Sequence, residues 1–408
     1  MSVETLPGIV ALGFGLLITS LGIRNRHMSK LFLLAFTLRT ALALLHHFVI
    51  ALPDSQADAL MFESTAREWA SGGWSFLLEH WQSGALLYSW LLAFFYLLFG
   101  PSTLLAQAIN VLLGTLVVYL VWRIGLELFD EQKARLAGWA ACLFPTLNLY
   151  SAITMREAVF VFLVLLGSLF AVKWFKSRTI WSFFWCTFFW VLATGFHLGA
   201  WPLLWALGLW SLGFGLFLSL RNKRFSWQTI GELALVGAAS AFIVLCRWGW
   251  DKGGVFEVGV GTIQKVYAIG RAAYLKNLVA DSLADLFWQA PIRVFFFLFT
   301  PFPWMVKEPI DLMGLFDAVL YVAITLVIVW SLWQLLRTQP RKLGITIFFL
   351  SLAAIGILAF SIITSNYGAA IRHRAKFVPF LLIASVPALS LIVQKGRNLW
   401  ARDASSSS

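Results

Sequence analysis

Charge is what this 408-residue chain has least of. Only 12% of its residues are Asp, Glu, Lys or Arg, and just 19 are acidic, where a soluble domain carries roughly 25% charged residues. That deficit excludes an ordinary water-soluble protein. Cysteine is scarce as well. Cys142, Cys186 and Cys246 lie far apart, each in an apolar segment, which excludes a disulfide scaffold and reads as buried packing. There is no Asn-x-Ser/Thr sequon, which suits a prokaryotic protein, and no internal repeat of the kind found in transporters with duplicated halves. What is abundant is apolar: 60% of residues are hydrophobic, in runs of about 17–25, the length that crosses a hydrocarbon core of roughly 30 Å. The chain therefore reads as an all-α, polytopic membrane protein, one integral domain over 1–404 with a disordered serine tail at 405–408. Residues 6–23 lack a basic leader and read as a crossing rather than a cleaved signal peptide.

Eleven crossings (within a range of 10–13) are expected near 7–23, 31–52, 103–125, 136–152, 157–174, 181–198, 201–219, 228–248, 313–336, 344–364 and 377–394. Under this assignment one set of alternate loops collects Arg24, Arg26, Lys30; Arg123, Lys133, Arg135; Lys173, Lys176, Arg178; Arg221, Lys223, Arg224; Arg337, Arg341, Lys342; and Lys395, Arg397, Arg402. The positive-inside rule assigns that side to the cytoplasm, leaving the N-terminus outside and the C-terminus inside. A net charge of +12 then reflects topology, and no nucleic-acid partner is implied. Residues 86–100 are apolar but too short to cross, so they predict an outer-face juxtamembrane helix. Residues 286–303, interrupted by Pro291 and Arg293, predict a re-entrant or interfacial element. It would lie in a long outer loop over 249–312, after a turn-rich start and an amphipathic stretch at 262–287.

Against this background two outer segments stand out. The first outer loop, 53–102, opens with PDSQADALMFESTAREWASGGWSFLLEHW, which holds Asp54, Asp58, Glu63, Glu68 and Glu79. A carboxylate near a transferred carbon can act as general base on an acceptor. Asp54 and Asp58, at i and i+4, would share a helical face; Asp54 could equally cap a helix starting near Ser55, so Asp58 is the preferred catalytic residue. Glu63, Glu68 and Glu79 read as solvated helix faces. The second segment is the loop 365–376, with Arg372, His373, Arg374 and Lys376 on the side where basic residues are disfavoured. Such a cluster fits the phosphate or diphosphate of a lipid carrier, or contact with anionic membrane lipid, or pairing with Asp54-type carboxylates. Arg156 and Glu157 mark an interface or orient substrate. Arg39 lies inside a crossing, where charge is functional, paired or snorkelling. His46, His47 and His197 with Asp54 and Asp58 could hold a divalent cation (Mg or Mn), although no metal-ligand spacing is diagnostic. Arg247 and Arg293 are weaker phosphate candidates.

Three pieces of sequence are similar to the GT-C membrane glycosyltransferases, in particular bacterial relatives of protein mannosyltransferases and aminoarabinose transferases. Asp58 is followed four residues later by Phe62 and eight later by Ala66. Residues 86–159 resemble the family's surface helix, crossing, basic turn and returning crossing. NYGAAIRHRAKFVPFLL resembles its basic element before a late crossing. The chain departs from the pattern at Phe62, usually tyrosine, and at Leu87-Tyr88-Ser89, which replaces a Tyr-Pro-Pro element; an extra crossing also precedes the acidic loop. The resemblance implies a GT-C-like fold, a polyprenyl-phosphate (or diphosphate) sugar donor and a glycan, lipid or protein acceptor. It also implies transfer on the outer face of a bacterial inner membrane and a catalytic Asp at position 58. The basic loop is similar also to O-antigen polymerases and ligases, and a lipid-linked-glycan flippase is the non-enzymatic alternative.

Overall fold

The computed structural model describes residues 3–21, 26–222, 226–250 and 259–406, which form helices linked by turns and loops within each stretch. Among them the only β pairing is an isolated bridge between Ala273 and Asn366. In chain order the helices are α1 (Leu6–Leu21), α2 (Arg26–Phe48), α3 (Asp58–Ser71), α4 (Gly73–Glu79), α5 (Leu87–Phe99), α6 (Thr103–Leu128), α7 (Glu131–Leu143), α8 (Pro145–Tyr150) and α9 (Glu157–Ser177). They continue with α10 (Ile180–Phe196), α11 (Trp201–Asn222), α12 (Trp227–Leu245), α13 (Val260–Tyr267), α14 (Leu283–Phe299), α15 (Asp311–Thr338), α16 (Pro340–Ile363), α17 (Tyr367–Arg374) and α18 (Val378–Ser406).

Eight helices among the described residues are long and apolar enough to span a bilayer, three fewer than the expected eleven crossings. The reasons are local. Helices α1 and α10 are apolar but hold only 16 and 17 residues. The expected crossing at 136–152 is broken, because Pro145 opens α8 and holds the preceding Phe144 extended at ψ 121°, the restriction a proline imposes on its predecessor. Helix α5, at 13 residues, is about 20 Å long, short of a bilayer as expected. Pro291, by contrast, does not interrupt its segment: α14 runs unbroken for 17 residues behind a Ser282/Asp285 capping box. The amphipathic stretch expected at 262–287 is a short α13 followed by turns. The turn-rich start of that loop at 251–258 lies outside the described residues, as do the basic residues Arg24, Lys223 and Arg224. Helix α18 continues to Ser406, so half of the tail expected to be disordered is helical.

The apolar pattern decides which faces pack. Helices α6 and α9 are buried on most sides, whereas α10, α11 and α15 turn residues such as Trp181, Leu216, Phe217, Leu220 and Leu326 outward, as lipid-facing helices do. Lys176 meets Glu127 at 2.7 Å and Arg178 meets Glu232 at 2.9 Å, joining the ends of α6, α9 and α12 at the basic end of the bundle. Close approach inside rests on Gly114 of α6. A Cβ there would stand 2.2 Å from Ser151 Oγ and 2.9 Å from Arg39 Nε. Gly114→Ala should therefore overpack this contact and cost about 1–3 kcal/mol, read as a lower melting temperature in detergent. An unchanged melting temperature would refute the contact.

Candidate functional site

The site forms where the acidic loop, the start of α9 and α17 meet. Asp58 begins α3 after a bend in which both Asp54 (φ 61°) and Ala57 (φ 44°) are left-handed, conformations that cost non-glycine residues energy and persist where the surroundings enforce them. Asp54 is thus neither a helix cap nor on one helical face with Asp58. Its Oδ2 accepts a hydrogen bond from Tyr150 Oη at 3.2 Å. Helix α5 supports α3 from behind, with Ser89 Oγ donating to the Phe62 carbonyl at 3.0 Å and Tyr88 edge-on to Phe62. The usual Tyr-Pro-Pro positions are therefore packing positions here.

Asn110 fixes the entry to α9. Buried within α6, it donates to the carbonyls of Ile153 and Met155 at 2.7 and 2.9 Å, holding the turn that presents Glu157. No motif in the sequence marks it. From there a ladder of charge runs inward. Arg372 donates to Asp58 Oδ2 at 2.6 Å and its Nε lies 3.8 Å from Glu157. Lys376 Nζ lies 3.4 Å from the same Glu157 oxygen and 2.8 Å from His373 Nδ1. Burial opposes charge on Arg372, but Glu157, Asp54 and Asp58 outweigh it and raise its pKa. Burial, against the pull of Glu157, lowers Lys376 to about 7. Burial, aided by Lys376 and Arg372, holds His373 well below the usual imidazole range and so neutral. Asp54 is raised by desolvation, with Arg372 opposing.

The basic cluster divides. Arg372 faces the acids, while Arg374 is turned into the protein. Its Nε donates to Asp317 at 2.8 Å and its Nη1 to the carbonyls of Leu298 and Thr300 at 2.7 Å each. That guanidinium is spent on structure, which removes Arg374 from the substrate-binding set. His373 and Lys376 are buried, and Lys376 shares Glu157 with Arg372. Arg156 donates to the Phe196 carbonyl at 2.9 Å. Arg293 is likewise committed, to Gln289, Ser365 and the Leu278 carbonyl. Arg247 lies over Trp250 on the surface, and Arg39 is fully buried in α2 rather than snorkelling. Glu63 is no solvated acid. It accepts from Arg67 at 2.6 Å, Thr103 at 3.0 Å and Tyr96 at 3.2 Å, tying α3 to α5 and α6, whereas Glu68 and Glu79 are exposed as expected. Cys142 and Cys186 are buried, but Cys246 is exposed, at the end of α12 where the packing stops.

The histidines do not converge on the acids. His46 Nδ1 accepts from the Leu52 amide, His47 packs on Phe48, and His197 packs on His373 and Phe360. No group of three His, Cys, Asp or Glu side chains suited to an ion occurs among the described residues. Among the described residues the histidines, Asp54 and Asp58 are therefore not gathered into one site for the divalent cation considered from the sequence. Beside Asp54 and Tyr150 opens a groove of about 530 Å³, walled by Leu312, Met313, Phe316 and Ile371 and edged by Arg271, Asp311 and Tyr367. Its wall is mostly apolar, with Asp54 and Asp317 among its charged members.

No family profile and no curated protein matches the chain. Among solved structures it is similar to the archaeal oligosaccharyltransferase AglB from Archaeoglobus fulgidus in complex with an inhibitory peptide and a dolichol-phosphate (TM-score 0.52, 12% identity), over 93% of this chain and 52% of that one. The apo form of the Archaeoglobus fulgidus oligosaccharyltransferase also matches (TM-score 0.47, 12% identity), over 91% of this chain and 52% of that one. The chain thus spans about half the length of the structures it matches. The similarity to AglB shows that the helical bundle shares the fold of that oligosaccharyltransferase's matching part.

Proposed function

We propose that on this oligosaccharyltransferase-like bundle the protein transfers a sugar or glycan from a polyprenyl-phosphate-linked donor to an acceptor at the outer face of the membrane, in cell-envelope glycan assembly. The single observation that carries the reading is Arg372, shared between Asp58 and Glu157, with its neighbour Ile371 in the wall of the apolar groove. A donor phosphate takes the place of Asp58 on the guanidinium fork, and the isoprenoid chain runs along the groove wall. As the bond from the anomeric carbon to the phosphate oxygen breaks, its electron pair leaves on a phosphate held by Arg372. The acceptor attacks from the opposite face, and the released Asp58 carboxylate takes its proton. Glu157 keeps Arg372 in place from behind, and Asp54 lines the approach.

Titrating a polyprenyl phosphate onto the purified protein tests the clamp. Arg372→Ala should weaken binding about 10- to 100-fold, the loss of a charge-assisted pair. Arg372→Lys should recover part of that, restoring charge without the fork. Equal affinity for wild type and Arg372→Ala would overturn the phosphate assignment.

A further inference from the structure

At the opposite end of the bundle, a second cavity of about 580 Å³ lies between α2, α7 and α18. Its wall combines the basic Lys30 and Arg135 and the amide of Gln132 with the apolar Leu136, Trp139 and Val393. Val393 stands 17 residues beyond Lys376 on the chain, most of them in α18, or about 25 Å at the helical rise. The cavity is therefore remote from the Asp58–Arg372 pair and lies on the side that the basic loops assign to the cytoplasm. Among the described residues neither Lys30 nor Arg135 forms an ion pair, in contrast to Lys133, which meets Asp130 one turn away.

We propose that this cavity is a binding site for an anionic phospholipid, with its headgroup phosphate held by Lys30 and Arg135 and its upper acyl carbons against Leu136, Trp139 and Val393. Three observations agree. Two cations without acidic partners face one space. The same wall carries apolar side chains beside the cations, which a headgroup and its acyl chains both need. The position, where the short α7 meets the spanning α2 and α18 at the basic end, is where headgroup recognition by basic inter-helix pockets occurs. Trp139 is 38% exposed, the amphipathic ring expected at headgroup depth. A second copy of the chain or a soluble anion would make no use of a wall that is half apolar and half basic at that depth. The proposal is independent of the outer-face chemistry.

The test uses the full-length protein in zwitterionic detergent, titrated with short-chain phosphatidylglycerol, with bound lipid counted by native mass spectrometry. Lys30→Ala/Arg135→Ala should lower the affinity about 25-fold, near fivefold per basic group. Lys395→Ala, an exposed basic residue outside the cavity, should leave it unchanged, and wild type should bind phosphatidylcholine far more weakly. Equal loss in Lys395→Ala would show mere surface charge and overturn the site. Displacement of the lipid by inorganic phosphate at similar concentration would assign the cavity to a free anion and overturn the lipid. Lys30→Gln/Arg135→Gln, which keeps polarity and bulk, should lose the lipid while retaining the wild-type melting temperature. Retained binding in it would equally refute the proposal.

Discussion

Asp58→Asn is expected to cut turnover by about 10²- to 10⁴-fold, the range over which a positioned general base acts, while donor affinity holds or rises. The two effects separate because Asp58 has two partners in succession. In the resting site it accepts from Arg372 at 2.6 Å, so neutralising it leaves the guanidinium less occupied and easier for a phosphate to take. In the proposed reaction it supplies the basic oxygen, which an amide lacks. Single-turnover kinetics with a polyprenyl-linked sugar would resolve the rate, and a parallel binding titration the affinity. Turnover within tenfold of wild type would end the assignment of Asp58 as base. Asp54→Asn provides the comparison: Asp54 is held by Tyr150 rather than by Arg372, so its loss should disturb the approach more than the chemistry and cost less.

Arg374→Leu should destabilise the whole bundle by about 3–5 kcal/mol, the cost of leaving one partner of a buried ion pair alone. Asp317 would keep its position with no cation beside it, and the carbonyls of Leu298 and Thr300, which now accept at 2.7 Å, would lose their donor. Because α14, α15 and α17 all meet at this guanidinium, the effect should appear as a cooperative loss of thermal stability in detergent rather than as a local change. The double variant Arg374→Leu/Asp317→Leu should regain most of the loss, since removing both charges abolishes the uncompensated one. A single variant as stable as wild type would show that the pair contributes nothing.

Most of the spanning helices were legible because apolar runs and basic loops are long-range signals that survive any detail of packing. The acidic loop stood out as a candidate because acids beside a membrane run are rare, and the role of Asp58 in it is the one proposed. What the sequence could not show depends on direction. Arg372 and Arg374 are two residues apart in the same basic loop, yet on a helix the difference is some 200°, so one meets Asp58 and the other meets Asp317. Composition treats them alike. Asn110 and Glu63 act by bonds to residues 40 or more positions away, which no local pattern encodes. The break at Phe144 was in principle readable from Pro145, but an apolar stretch of the right length concealed it. Pro291 sits within α14 without stopping it, so proline alone does not decide where a helix ends.

The pairing of Arg372 with Asp58 also makes the resting site its own competitor. Any dissolved anion that reaches the outer mouth must displace a carboxylate tethered a few ångströms away, a rival present at high effective concentration. A phosphate confined to the membrane plane by an isoprenoid tail arrives with a comparable local advantage and a groove to hold it; a phosphate drifting in from solution has neither. On the proposed function the salt bridge would therefore work as a filter, admitting the anchored substrate while leaving the surrounding buffer outside.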